Sequence, residues 1–251
     1  MLKSFSNEKF DIIVQAGQSN SEGYGIGDTE TAFVPNELIW YLKNDFTIQT
    51  ASEQVDGNHI VGNFSLPFAS EYIKNGNLQS GRKLLIIRAA VGGTGFSDKR
   101  WGLEDDLFLN MTEMIKTALA LSSANRLVAF LWHQGETDAI NNATYGTHFK
   151  NLFALINTVR NMFKCRNLPF IAADFVHCWK MQNLECCIPV IKAIESVCEK
   201  AGNASFIETK ELQANSQKVG GEDNIHFSRE ALYTLGEKYF DAFCKISIES
   251  N

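Results

Sequence analysis

A chain of 251 residues with 45% hydrophobic content has room for one large α/β domain around a substantial core, read as a single unit over 1–251; a second full domain would be cramped. The formal net charge of -6 argues against a nucleic-acid binder, which needs clustered Lys and Arg to displace counterions from phosphates. No stretch approaches the roughly 20 apolar residues that span a bilayer, and the polar opening segment does not have the form of a secretory signal. The expectation is a soluble, cytoplasmic protein without nucleic-acid or membrane partners.

In chain order, short runs rich in Ile, Val, Leu and Phe recur at 10–16, 84–90, 126–132, 168–174 and 204–208. They are polar on neither face, as parallel strands covered on both sides tend to be. The region 20–80 is the least regular, with Gly23, Gly25, Gly27, Gly57 and Gly62 among polar and aromatic residues. It is expected to be long loop plus one short helix near 66–75, contributing part of a substrate cleft. Helical periodicity is clearest at 145–163, through Tyr145, Phe149, Leu152, Phe153, Ile156, Val159 and Phe163. A last helix follows through Leu232, Leu235, Tyr239 and Phe243, with Ser228 placed to cap its first turn.

Alternating strands and helices predict a central parallel sheet with helices on both faces. Ligands of such sheets collect at the carboxyl ends of the strands. Gly17-Gln18-Ser19-Asn20, Gly92-Gly93-Thr94-Gly95 and His133-Gln134-Gly135-Glu136 each begin directly after a predicted strand, so the three segments should converge on one rim.

All six cysteines lie beyond residue 164. Cys186 and Cys187 are adjacent on an expected helix, where pairing would be strained. Free thiols are therefore expected, and the Cys-x-x-Cys pairs of zinc sites are absent. No metal or other cofactor is expected.

A serine nucleophile needs a base within hydrogen-bond reach and a group to hold that base. Ser19 follows an apolar strand and a glycine, while Asp223-Asn224-Ile225-His226 offers a histidine and a carboxylate three residues apart, just ahead of the last helix. Acyl transfer also needs donors for a developing oxyanion. The candidates are the N–H groups of Ser19 and Gly93 and the amide of Gln134.

Each residue has a plainer reading when taken alone. Ser19 suits a helix cap, His226 an ordinary turn histidine and Asp223 a solvated turn residue. Gly92-Gly93-Thr94-Gly95 lacks the lysine of a phosphate loop, and His133, Glu136 and Asp138 lack the His-Glu-x-x-His pattern of a metal helix. Trp40, Trp101, Trp132 and Trp179 are by default packing residues.

Taken together, four ordered blocks resemble the SGNH hydrolases, and within them the branch of sialate O-acetylesterases and acetyl xylan esterase-like proteins. The blocks are Gly17-Gln18-Ser19-Asn20, Gly92-Gly93-Thr94, Trp132-His133-Gln134-Gly135-Glu136 and Asp223-x-x-His226, spread over nearly the whole chain. Ser21 and Glu22-Gly23-Tyr24-Gly25 follow the first block, where many relatives carry methionine.

The resemblance implies a flavodoxin-like three-layer α/β/α sandwich. It implies Ser19 as nucleophile, His226 as base and Asp223 as its orienting acid, with Ser19, Gly93 and Gln134 as the oxyanion hole. Glu136 is an alternative acid or a support for the loops. The segment after the second block is similar to the corresponding stretch of bacterial sialate esterases, which marks Trp101 and Arg100 as substrate-binding candidates. Arg88 or Arg100 is in addition a candidate partner for a sialate carboxylate. The implied activity is removal of O-acetyl groups from a carbohydrate, either a sialic acid or a xylan-type oligosaccharide. The alternatives are a lipid or short-chain acyl esterase of the same superfamily and an inactive sugar-binding protein.

Overall fold

The computed structural model describes residues 2–249. The strands are β1 Phe10–Gly17, β2 Gly25–Asp28, β3 Ile39–Leu42, β4 Ile48–Thr50, β5 Gln54–Asp56, β6 His59–Gly62, β7 Lys83–Arg88, β8 Arg126–His133, β9 Phe170–Ala173 and β10 Ala204–Ile207. The α-helices are α1 Ser19–Glu22, α2 Ser65–Lys74, α3 Asp106–Ala120, α4 Glu136–Ile140, α5 Tyr145–Met162, α6 His177–Gln182, α7 Leu184–Lys200, α8 Asn215–Val219 and α9 Arg229–Glu249.

Seven strands form the central sheet in the order β10-β9-β8-β1-β7-β3-β4. Every neighbouring pair is parallel except β3 with β4. Successive side chains of a strand point to opposite faces, and here both faces are covered. Ile12, Val14, Leu85 and Ile87 pack into a core with Met111 and Ile115 of α3, Leu152 and Ile156 of α5, and Val190 and Ile194 of α7. Ile13, Leu84 and Ile86 pack the other way, against Leu66 and Phe68 of α2 and Leu232, Leu235 and Tyr239 of α9. The result is three layers, which is why β1 is buried at all eight positions and its sequence shows no alternation.

The five strands and the long helices expected from apolar runs and periodicity are present within a few residues of their expected bounds. Ser228 caps α9 by accepting from the Ala231 N–H at 3.2 Å, and Thr144 caps α5 in the same way through the Thr147 N–H. All six cysteines are free.

The region 20–80 differs from the expected long loop. It holds five short strands: β3 and β4 extend the central sheet, and β2, β6 and β5 form a separate antiparallel sheet in that order. Each has three or four residues, too few for a periodicity to emerge. Long-range contacts hold them in place. Arg229, at the start of α9, is nearly buried and pairs with both carboxylate oxygens of Glu53 at 2.7 and 3.0 Å while also donating to the Thr31 carbonyl at 2.6 Å.

Candidate active site

The three segments singled out in the sequence follow β1, β7 and β8, which are adjacent in the order β8-β1-β7. They share one rim. Gly17, the last residue of β1, is paired with His133, the last of β8. Its φ is +126°, and a Cβ there would stand 2.0 Å from the His133 carbonyl oxygen. Only glycine fits that approach, and it lets the chain turn directly into Ser19, which opens the short helix α1.

Ser19 is nearly buried, at 5% exposure. The next residue, Asn20, is fully buried and grips the chain on both sides of His226. Its Nδ2 donates to the Ile225 carbonyl at 3.0 Å, and its Oδ1 accepts from the Phe227 N–H at 3.0 Å. The same Nδ2 donates to Glu136 Oε1 at 2.8 Å. One amide thus fastens the histidine turn to the residue following Ser19, across more than 200 positions of sequence.

The imidazole is oriented from the other side. His226 Nδ1 lies 3.0 Å from each carboxylate oxygen of Asp223, and the His226 N–H donates to Asp223 Oδ1 at 3.2 Å. Asn215 donates through Nδ2 to Asp223 Oδ2 at 2.8 Å and to the Tyr24 carbonyl at 2.9 Å. Partial burial opposes the charge on Asp223, but the bonds from Asn215 and His226 outweigh it and hold its carboxyl below the usual range. The Tyr24 ring stacks on His226, with centroids 4.9 Å apart and planes 24° apart.

Glu136 is completely buried and bonded to Asn20, and its Oε1 lies 3.4 Å from His133 Nε2. Burial opposes its charge, yet the contacts with His133 and Asn20 keep the carboxyl below its ordinary value. Asp223, not Glu136, is the carboxylate against His226. Glu136 braces the Asn20 clamp.

The donors expected for an oxyanion are not equally placed. Among the described residues, the N–H groups of Ser19 and Gly93 have no hydrogen-bond acceptor. The amide nitrogen of Gln134 is committed inward. It donates to Asp138 Oδ2 at 2.8 Å and lies 3.3 Å from the Thr94 carbonyl, in a side chain only 1% exposed. Asp138 also accepts from the Phe96 and Ser97 N–H groups at 3.1 and 2.7 Å, tying the second-block loop to the third. Its burial penalty is outweighed by bonds from His148, Gln134 and Phe96, and its carboxyl is held down at about 2.

Of the two expected substrate contacts, Trp101 is corrected. Trp101 is fully buried: its Nε1 donates to Thr94 Oγ1 at 3.0 Å and its ring packs edge-on against Trp132 at 5.1 Å. It props the second-block loop from beneath and offers no face to a sugar. Arg100 is exposed, but its guanidinium forms a two-pronged pair with Asp106 at 2.8 and 2.9 Å. Among the described residues, no three His, Cys, Asp or Glu side chains gather as metal ligands do.

Several functional positions went unmarked in the sequence. Asn20 was visible within a block but had no partner in view, because Ile225 and Phe227 come to it only in the fold. Gln18 and Tyr24 stood in or beside the first block with no role in view, and Asn215 had no signal at all. Gln18 Oε1 accepts from the Thr137 N–H at 3.1 Å and thereby holds the start of α4.

Beside the rim, between Glu22 and Gly23 on one side and Tyr41, Lys43, Asn63 and Arg88 on the other, lies a cleft of about 280 Å³.

A three-layer α/β fold with a serine after β1, a glycine loop after β7 and an Asp-x-x-His turn before the last helix defines an SGNH-like carbohydrate esterase. The chain belongs to the carbohydrate esterase family described as sialic acid-specific acetylesterase, whose profile matches residues 9–245. It is 24% identical over 261 residues to a probable carbohydrate esterase of Arabidopsis thaliana, covering 93% of this chain and 91% of that one. Among solved structures it is similar to NanS, with a TM-score of 0.82 at 15% identity, covering 96% of this chain and 98% of that one. An Arabidopsis thaliana structure matches with a TM-score of 0.75 at 21% identity, over 94% and 98% of the two chains. A carbohydrate acetylesterase from Xanthomonas citri matches with a TM-score of 0.64 at 15% identity, over 95% of this chain and 56% of that one. Among the described residues, no helix is long and apolar enough to cross a membrane.

Proposed function

We propose that this protein is a serine esterase, acting as one domain, that removes O-acetyl groups from a carbohydrate through an acetyl-Ser19 intermediate. The observation that carries the reading is the double constraint on His226: Asp223 holds Nδ1 at 3.0 Å, and Asn20 clamps the chain on both sides of it to the residue after Ser19. Family membership supplies the substrate class.

In the first step Ser19 Oγ attacks the acetyl carbonyl while His226 Nε2 takes the hydroxyl proton. Asp223 on Nδ1 fixes the tautomer that leaves Nε2 free to accept and stabilises the imidazolium that forms. The proton then passes to the departing sugar oxygen. In the second step His226 removes a proton from water, which attacks the acetyl group and releases acetate and Ser19. The Ser19 and Gly93 N–H groups are the donors for the oxyanion. Gln134, held inward by Asp138, supports the loop that carries Gly93 and can donate only if its amide turns out of that network.

The test is acetate release from 9-O-acetylated sialic acid and from an acetylated xylo-oligosaccharide, each with wild-type protein and with Ser19→Ala. Release from the sialate, lost by roughly a thousandfold or more in Ser19→Ala with unchanged thermal stability, is the expected result. Full activity in Ser19→Ala would overturn the mechanism. Release only from the xylo-oligosaccharide would keep the chemistry and move the substrate. Preference for octanoyl over acetyl esters would favour an acyl-lipid esterase instead.

A further inference from the structure

The stretch Ser21-Glu22-Gly23-Tyr24, where the chain departs from the pattern of many relatives, has no part in the mechanism above. In the fold it touches both sides of the reacting groups. Tyr24 stacks on His226, and Glu22 reaches the loop after β7, where its Oε2 accepts from the Gly92 N–H at 2.6 Å. A carboxylate bonded to a backbone N–H makes one of the stronger hydrogen bonds. Among the described residues Glu22 spends no charge on an ion pair. Its carboxylate, with partial burial, pushes the Tyr24 phenol up from its ordinary value, so the charge stands beside that hydroxyl as well.

Glu22 grips the part of the rim that needs a restraint. Two consecutive glycines, Gly92 and Gly93, have the widest backbone choice of any pair. The ladder between β1 and β7 ends just before them, with the Ala89 N–H on the Gln15 carbonyl at 2.9 Å and the Val91 N–H on the Gly17 carbonyl at 3.1 Å. Just after them the chain is fixed again, by Thr94 Oγ1 on the Val91 carbonyl at 2.7 Å and by the Gly95 N–H on Asp98 Oδ1 at 2.9 Å. Gly93, at a φ of +70°, has no atom within 4 Å of where a Cβ would stand, so no packing holds it on that side. Between the two fixed points, the bond from the Gly92 N–H to Glu22 is what ties the glycines down.

Glu22 is itself anchored to the nucleophile. It closes the helix that Ser19 opens. Its N–H donates to the Gln18 carbonyl and the Gly23 N–H donates to the Ser19 carbonyl, each at 2.8 Å, while its own carbonyl accepts from Arg88. We propose that Glu22 is a positioning residue for the oxyanion: its bond to Gly92 fixes the double glycine relative to Ser19 and so presets the Gly93 N–H as a donor. A donor set in place beforehand costs no reorganisation when the charge develops. The proposal rests on the esterase reading above and adds to it a residue outside the four blocks.

The test uses p-nitrophenyl acetate, which carries the acetyl carbonyl without a sugar, on wild type, Glu22→Ala, Glu22→Leu and Glu22→Gln. Glu22→Ala should lower kcat about tenfold to a hundredfold, less than the loss of a whole donor, with KM within about threefold of wild type and the melting temperature nearly unchanged. Glu22→Leu fills the space without an acceptor and should fall as far. Glu22→Gln keeps an oxygen for the Gly92 N–H and should restore kcat to within about fivefold of wild type. A loss under about threefold in Glu22→Ala, or equal activity in the Leu and Gln variants, would overturn the proposal and leave the esterase standing. If wild type hydrolysed neither this ester nor the acetylated sugars, the esterase reading would fail by itself, and nitrogen relaxation measured by NMR would decide the restraint. A Gly93 amide order parameter of about 0.85 in wild type that falls below about 0.6 in Glu22→Ala would support it, and equal values would overturn it.

Discussion

The two ends of the central sheet treat buried polar groups differently. At the amino end of β1, Asp11 is fully buried and saturated: Arg82 and Arg126 reach Oδ1 at 2.7 Å each, while Tyr72 and Arg126 reach Oδ2 at 3.0 and 3.2 Å. At the carboxyl end the polar groups are just as buried but leave valences open. Among the described residues, buried side-chain atoms without a hydrogen-bond partner occur on Trp132, Gln134, Glu136 and His177, all at or beyond the carboxyl ends of β8 and β9. A closed network serves stability, since each group is compensated. An open one costs stability, because each unpaired group has left water without gaining a partner.

The sharpest way to break this contrast at the carboxyl end is Asp223→Asn. It keeps the shape of the turn but offers His226 Nδ1 an amide that can select the wrong tautomer. We expect kcat to fall by about a hundredfold to ten-thousandfold with the melting temperature nearly unchanged, measured by acetate release and thermal unfolding. A loss under tenfold would show that Asp223 does not orient the base.

The matching change at the amino end is Asp11→Ala, which leaves Arg82 buried without its partner. We expect a loss of about 3–5 kcal/mol in urea unfolding, as for the removal of one member of a buried pair. The kcat of the remaining folded protein should change less than about threefold, because Asp11 lies at the opposite end of β1 from Ser19. An activity loss like that of Asp223→Asn would erase the distinction between the ends.

A smaller effect sharpens the comparison within the carboxyl end. The Asp138 carboxyl, at about 2 in the folded protein, lies below the value of about 3.9 expected when unfolded. A depressed folded value means that the carboxylate form stabilises the fold above about pH 4, and that this contribution is lost as pH falls from about 4 to about 2. Its size is roughly 2 kcal/mol. The stability gap between wild type and Asp138→Asn should therefore narrow by that amount between pH 6 and pH 2 in urea titrations. A gap independent of pH would show that Asp138 acts only by shape.

Much of the scaffold was legible because burial on both faces writes itself into a strand as an unbroken apolar run, and the helices showed their 3.6-residue period. The rim was legible too, since Gly17 and His133 end β1 and β8 and Gly92 follows shortly after β7. Trp101 was misleading: its place after the second block suggests a cleft wall, but a large ring beside Trp132 is more stable buried, with Thr94 taking its N–H. The strands of 20–80 were illegible because three or four residues carry no period, and their positions depend on partners such as Arg229, far along the chain.

By itself, the sequence determined the layered α/β architecture, the rim at which chemistry collects and the residue types that meet there, since these follow from local patterning and from blocks a few residues long. Only the tertiary structure decided which carboxylate faces His226, that Asn20 joins the serine and histidine segments, that Gln134 turns inward, and that Glu22 reaches the loop after β7. Those outcomes depend on distances between residues far apart in sequence, which packing of the whole chain sets and no local pattern encodes.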